Sequence, residues 1–146
     1  IPDIVLRDPS DWAKVNHGMQ QVMHGARGTA RKASIGAQYR IAGKSGTAQV
    51  VAIKQGERYN RNKTLERHRD NALFVGFAPA NNPQIAVSVM IENGEAGGRV
   101  AGPVVRQIMD AWLLDQDGHL KPQYAVPSKV PGGTPAHSSA ARLRRT

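Results

Sequence analysis

The chain has 146 residues, enough for one domain with a modest core and too few for two sizeable ones. Lys and Arg total 20 against 11 acidic residues, and the resulting charge of +9 favours anionic partners without choosing among them. Cysteine is absent, which excludes disulfides, thiolate metal sites and a thiol nucleophile. The longest strongly apolar stretch, residues 85–91, is far shorter than the roughly 20 residues of a membrane-spanning helix. Because the chain begins at Ile1, without an initiator Met or a leader, we expect a fragment or a processed product.

The first predicted element is an amphipathic helix over residues 11–24. Ser10 is a suitable N-cap and Gly25 a suitable C-terminal stop. Apolar residues recur between them at helical spacing, namely Trp12, Val15, Met19, Val22 and Met23. Residues 26–38 mix glycine, hydroxyl and basic residues without a sustained period, which predicts a loop with at most one helical turn.

Three strands are predicted, over residues 39–53, 71–78 and 84–92. The second and third are nearly continuous apolar runs, which is typical of strands covered on both faces. Turn-forming residues at 79–83 join them and indicate an antiparallel hairpin. The polar segment 54–70, between the first and second strands, predicts a long exposed excursion.

The last predicted element is a helix over residues 103–114. It follows a glycine-rich loop at 93–98 and begins near Gly102. The next residue is a proline, which is well tolerated in the first turn of a helix. Acidic residues end at Asp117, and Pro, Gly, Ser, Ala and Arg dominate thereafter. We therefore expect a packed region at 1–115 and a basic tail at 116–146, with 121–146 lacking regular structure.

The most distinctive motif is Lys44-Ser45-Gly46-Thr47, which lies inside the first predicted strand. Gly43-Lys44-Ser45 superficially matches the end of a phosphate-binding loop, but Gln38 stands where that loop requires glycine. Lys-Ser-Gly is instead the serine form of the Lys-Thr-Gly motif of penicillin-binding proteins and serine β-lactamases. By itself a tripeptide of such common residues is weak evidence, and it is more often an edge strand with a solvated lysine.

The surrounding residues 39–50 resemble the corresponding strand of class B penicillin-binding proteins. Further matches follow in the family's order, at residues 12–19, 72–79, 91–94 and 104–114, so that the similarity covers about residues 1–115. In detail the chain is most similar to the elongation-type branch, penicillin-binding protein 2. The resemblance implies an α+β fold, with three antiparallel strands and flanking helices, that forms the C-terminal part of a transpeptidase domain like that of the serine β-lactamases.

The resemblance also implies acyl transfer. A serine attacks the D-Ala-D-Ala bond of a cell-wall stem peptide, and β-lactams are trapped in this first half-reaction. Lys44 would place a positive charge near the base and the substrate carboxylate, which the hydroxyls of Ser45 and Thr47 would bind. Gly46 would let the substrate approach the strand, and the backbone N–H of Thr47 would be an oxyanion-hole donor.

One departure from the family pattern concerns the nucleophile. No serine of this chain is followed by Lys three residues later or by Asn two residues later. The nucleophilic serine, its activating lysine and the Ser-x-Asn motif are therefore expected outside this chain, and the chain alone is expected to be inactive.

The resemblance further implies the periplasmic face of the inner membrane, with an anchor upstream. It implies no cofactor, and as partners stem peptides, β-lactams and the membrane proteins of the elongation machinery.

Other candidate sites are weaker. His17 and His24 lie seven residues apart and the remaining histidines are scattered, so no metal-ligand spacing appears. The polar segment 54–70 carries basic residues that either border the groove where a substrate would bind or are simply solvated. These residues are Lys54, Arg58, Arg61, Lys63, Arg67 and Arg69.

The rival interpretation is a small basic module that binds nucleic acid, which predicts exposed aromatic residues among the basic ones. The chain has only seven aromatic residues, and the helical and strand patterns place four of them on apolar faces instead, namely Trp12, Phe74, Phe77 and Trp112.

Overall fold

The computed structural model describes residues 5–51 and 65–125. In chain order its elements are α1 (Ser10–His24), a 3-10 helix (Arg31–Ser34), β1 (Ala42–Ala48), a 3-10 helix (Glu66–His68), β2 (Asn71–Ala78), β3 (Ile85–Ile91), α2 (Gly97–Leu113) and a 3-10 helix (Pro122–Tyr124). The strands form one antiparallel sheet of order β1-β2-β3. The predicted α+β class, the three strands and the antiparallel hairpin are confirmed, but β1 is shorter than the predicted 39–53, because residues 39–41 and 49–51 lie outside the ladder with β2.

The start of α1 differs from the prediction, whereas its end agrees. Ser10 is the first helical residue and not the N-cap, because Pro9 already has a helical backbone conformation. The side chain of Asp8 takes over the capping contact and accepts the Ser10 N–H at 2.8 Å. At the other end the Gly25 N–H donates to the Gln21 carbonyl at 3.0 Å and ends the helix as predicted.

The sheet packs one face against α2. Side chains alternate along each strand, and the register pairs Ser45 with Phe74 and Phe74 with Val89 across the three strands. The Phe74 side chain lies beside Gly43, where an added Cβ would stand 2.6 Å from the ring. The largest fully buried side chains come from both helices, from the sheet and from the residue before β1, and they are Phe74, Met23, Ile41, Met109, Leu113 and Val105.

The expectation that β2 and β3 are covered on both faces is wrong for the described part of the chain. Val75 and Met90, on the face opposite α2, are 46% and 60% exposed. The apolar runs do supply apolar residues to both faces, but the elements described here pack fully against one of them. Trp12 and Trp112 are also more than half exposed, although both follow apolar helical stripes.

Helix α2 begins six residues earlier than predicted, at Gly97, so that Pro103 lies inside it. The reason is tertiary packing: Gly97 and Gly98 have no side chains, and their backbone lies directly against other segments. Beyond α2, Leu114 pairs with Leu120 in an antiparallel bridge, and Tyr124 packs against the core. The first residues of the predicted tail are therefore structured, and the 3-10 helix at Pro122–Tyr124 contradicts the expectation that residues 121–146 lack regular structure. The predictions for 52–64 and 126–146 lie outside the described residues.

Candidate functional site

The Lys44–Thr47 motif lies on β1, at the edge of the described sheet. Lys44 opposes Val75 on β2, whereas Ser45 opposes Phe74. Because successive side chains of a strand point to opposite faces, Ser45 and Thr47 share the α2 face and Lys44 lies on the other. The strand thus separates the lysine from the two hydroxyl groups.

A cavity of about 380 Å³ opens beside the two hydroxyl residues of β1. Its lining joins three segments that are distant in sequence, namely Thr29, residues 45–47 and residues 96–99. The Ser45 Oγ lies 3.1 Å from the Thr29 Oγ1, and either hydroxyl can donate. The Thr47 hydroxyl donates to the backbone carbonyl of Glu95 at 3.1 Å. Hydroxyl groups and the exposed Arg99 give this cavity the donors and the positive charge that an anionic group requires.

The first turn of α2 builds one wall of this cavity by close backbone contact. A Cβ added at Gly97 would lie 2.1 Å from the Leu73 carbonyl oxygen and 2.5 Å from that of Gly46. A Cβ added at Gly98 would lie 2.4 Å from the Thr29 carbonyl oxygen. Both glycines are needed because any side chain would push α2 away from β1 and from the Thr29 loop.

Lys44 does not line this cavity. It is exposed on the other face of β1, where its Nζ donates to the backbone carbonyl of Ser45. A smaller cavity of about 220 Å³ lies there, and Lys44 lines it together with Ser45, Gly46, Val75 and Ser88. The structure therefore brings Ser45, Gly46 and Thr47 together at the larger cavity, whereas Lys44 meets Ser45 and Gly46 only at the smaller one.

Sequence reasoning missed Thr29, Arg99 and the two glycines of α2. Thr29 stands in an aperiodic loop, the two glycines fell in the predicted loop at 93–98, and Arg99 lies between that loop and the predicted start of the helix. The paired glycines were the one available signal, because adjacent glycines mark positions where backbone segments approach closely. That signal does not say which segment approaches.

His24 ties the end of α1 to the residue before β1. Its Nε2 accepts the Ile41 N–H at 3.0 Å, so this ring nitrogen carries no proton in the structure described. Burial, followed by the positive charges of Arg40 and Arg106, holds the pKa of His24 below its ordinary value. The neutral imidazole thus helps to position the motif strand relative to α1.

Acidification is therefore expected to destabilise the protein through His24. Because the unfolded state binds this proton more readily, the free energy of unfolding should fall as the pH drops below about 6.5 and level off below the lowered folded-state pKa. Thermal unfolding between neutral and mildly acidic pH measures the loss. This pH-dependent loss of stability should be smaller in His24→Gln. It should be unchanged in His17→Gln, which replaces an exposed histidine of the same helix. An undiminished loss in His24→Gln would contradict this assignment.

The described residues contain neither a metal-binding cluster nor a membrane-spanning helix. Among residues 5–51 and 65–125, no group of three or more His, Asp or Glu side chains is placed to hold a metal ion. Neither α1 nor α2 combines the length and apolar character that crossing a bilayer requires, and the same holds for every helix described.

Comparison with known proteins gives a consistent family. The family described as penicillin binding protein transpeptidase domain matches residues 7–110. The chain is 42% identical over 126 residues to peptidoglycan D,D-transpeptidase MrdA of Haemophilus influenzae, covering 86% of this chain and 19% of that protein. It is 48% identical over 103 residues to MrdA of Escherichia coli K12, covering 70% and 16%. The chain thus spans less than a fifth of these curated relatives.

Solved structures agree with the sequence comparison. Pseudomonas aeruginosa PBP2, in complex with WCK 5153, superimposes with a TM-score of 0.73 at 63% identity, covering 86% of this chain and 25% of that one. Helicobacter pylori PBP2, in complex with MreC, gives a TM-score of 0.56 at 26% identity, covering 70% and 17%. The resemblance drawn from the motif strand and its flanking segments is confirmed: the chain belongs to the penicillin-binding protein transpeptidase domain family and is strongly homologous to the MrdA (PBP2) D,D-transpeptidases.

Proposed function

We propose that this chain is the C-terminal part of a serine-type cell-wall D,D-transpeptidase, which cross-links peptidoglycan stem peptides and binds β-lactams. The observation that carries the proposal is the cavity of about 380 Å³ beside Ser45, Gly46 and Thr47 on an edge strand. A stem peptide ending in D-Ala-D-Ala presents a carboxylate, and a cavity with hydroxyl donors and a nearby arginine matches that group. The relatives' name, peptidoglycan D,D-transpeptidase, supports the same reaction.

In the proposed mechanism, β1 binds the acyl donor along its outer edge. The hydroxyls of Ser45 and Thr47 hold the terminal carboxylate, and Gly46 leaves the strand open to the substrate backbone. The Thr47 N–H donates to the oxygen of the attacked carbonyl as it becomes negative, a contribution of about 3 kcal/mol in comparable sites. Lys44, on the opposite face, supplies positive charge toward the side where the activating base would stand.

The covalent steps use a serine supplied by the rest of the full-length protein. Its oxygen attacks the carbonyl of the D-Ala-D-Ala bond, its proton passes to the base, and the terminal D-Ala leaves with a proton on its amine. The amine of a second stem peptide then attacks the resulting ester. A new peptide bond forms, and the serine regains its proton. A β-lactam stops after the first step because its leaving group stays attached.

The same proposal covers location and partners. The full-length protein would act on the periplasmic face of the inner membrane, held by an anchor outside this chain. The solved complex of Helicobacter pylori PBP2 with MreC supports membrane proteins of the elongation machinery as partners. No cofactor enters the proposed steps.

Labelled penicillin tests the proposal. The full-length protein is expected to form a stoichiometric adduct, whereas the isolated 146-residue chain should form none because it lacks a Ser-x-x-Lys. Lys44→Ala in the full-length protein should slow acylation about 10- to 100-fold, because it removes positive charge that complements the substrate carboxylate and the developing oxyanion. The fold should survive, since Lys44 is exposed.

Lys14→Ala is the matched control, because Lys14 is an exposed lysine on α1. It should acylate at the unmodified rate. Stoichiometric labelling of the isolated chain, mapped by mass spectrometry to any of its own serines, would refute the proposed division of labour. So would a Lys44→Ala variant that acylates at full rate.

A further inference from the structure

The hydroxyl pair in the cavity is formed by Ser45 and Thr29. Their oxygens lie 3.1 Å apart, and both side chains line the cavity of about 380 Å³. Thr29 lies outside the Lys44–Thr47 motif and precedes it by more than a dozen residues. The loop that follows α1 therefore brings a second hydroxyl group to the site.

The Thr47 hydroxyl is less available as a donor than the motif alone suggests. A hydroxyl has one proton to donate, and that of Thr47 is directed to the Glu95 carbonyl at 3.1 Å. Ser45 and Thr29 bond to each other, which engages only one of their two hydroxyl protons, and the second is released when an acceptor opens that bond. An incoming carboxylate has two acceptor oxygens and no proton, so it can take one hydrogen bond from each of these two hydroxyls.

The position of Thr29 is fixed by its surroundings. The backbone of Gly98 packs against the Thr29 carbonyl so closely that an added Cβ would lie 2.4 Å from that oxygen. The next residue, Ala30, is buried in the core and donates its N–H to the Val22 carbonyl at 3.1 Å. The hydroxyl of Thr29 is thus presented from an anchored backbone to the mouth of an open cavity.

We propose that Thr29 is a further substrate-binding residue, which with Ser45 forms a two-hydroxyl site for the terminal carboxylate of the acyl donor. This inference rests on the proposed transpeptidase function and deepens it. Arg99, which lines the same cavity, adds the positive charge that a carboxylate requires. The Thr47 hydroxyl adds a third donor when it turns from the Glu95 carbonyl to the carboxylate.

The test uses the full-length protein and two probes, benzylpenicillin and its methyl ester, which lacks the carboxylate charge. Thr29→Val keeps the shape of the side chain and removes the hydroxyl. It should lower the second-order rate constant of acylation by benzylpenicillin about 10- to 100-fold and change that for the ester less than about threefold. Thr29→Ser keeps the hydroxyl and should stay within about threefold of the unmodified protein for both probes.

The outcomes separate the two proposals. If the unmodified protein is not acylated at all, the proposed function fails and this inference fails with it. If it is acylated and Thr29→Val matches it, or loses both probes equally, Thr29 does not bind the carboxylate and only this inference is overturned. Thr29→Ala provides a second hydroxyl-free variant should Thr29→Val unfold, and the same selective loss is expected of it.

Discussion

Replacing Gly97 by alanine is expected to lower the free energy of unfolding by about 3 kcal/mol or more. The added Cβ would lie 2.1 Å from the Leu73 carbonyl oxygen and 2.5 Å from that of Gly46, well inside van der Waals contact. Both obstacles are backbone atoms of paired strands, which cannot rotate away as a side chain would. The first turn of α2 must therefore move off the sheet or the strands must separate. Denaturant or thermal unfolding of the purified variant measures the loss.

Gly18→Ala is the control for the same chemical change in a helix. Gly18 lies on α1, and an added Cβ would meet no other heavy atom within 4 Å. Because alanine favours the helix over glycine, this variant should be more stable by about 0.5–1 kcal/mol. Equal stability of Gly97→Ala and the unmodified protein would show that α2 does not pack against β1 and β2 in this way.

The contrast between these glycines explains which parts of the fold the sequence could predict. The strands β2 and β3 were predictable because apolar runs and the turn residues 79–83 are local signals. The start of α2 was not predictable, because glycines have a poor helix propensity and appear as a loop. Contact with Gly46 and with the Thr29 loop overrides that local preference. Tertiary contacts of this kind produce no periodic pattern of apolar residues from which the helix start could be predicted.

The candidate site divides in the same way. Residues 44–47 carry a recognisable motif, and their position within a strand correctly predicts that Lys44 and Ser45 lie on opposite faces. Thr29 and Arg99 reach the cavity only because three distant segments meet there. Likewise Asp8 caps α1 only because Pro9 adopts a helical conformation. Local rules identify residue types suited to a role, whereas tertiary contacts decide which of them perform it.

Replacing Asp110 by alanine is expected to lower the free energy of unfolding by about 2–4 kcal/mol, the cost of leaving a largely buried cation without its partner. Asp110 Oδ1 accepts hydrogen bonds from Arg106 Nε and from the Tyr39 hydroxyl, each at 2.7 Å. The Arg106 side chain is only 12% exposed, and its guanidinium also donates to the Ala33 carbonyl at 3.4 Å. This cluster joins α2 to the segment that leads into β1, so its loss should also loosen the motif strand.

Asp11→Ala provides the comparison for Asp110→Ala. The Asp11–Lys14 pair is nearly as short, at 2.8 Å, but its side chains are 51% and 67% exposed, so its removal should cost less than about 1 kcal/mol. Tyr39 gives a second measurement, since burial and then the hydrogen bond to Asp110 raise the pKa of its hydroxyl. In Asp110→Ala that pKa, followed by ultraviolet absorbance, should fall toward the ordinary tyrosine value while burial keeps it raised. If both aspartate variants lose the same stability and Tyr39 titrates unchanged, the cluster does not anchor the motif strand.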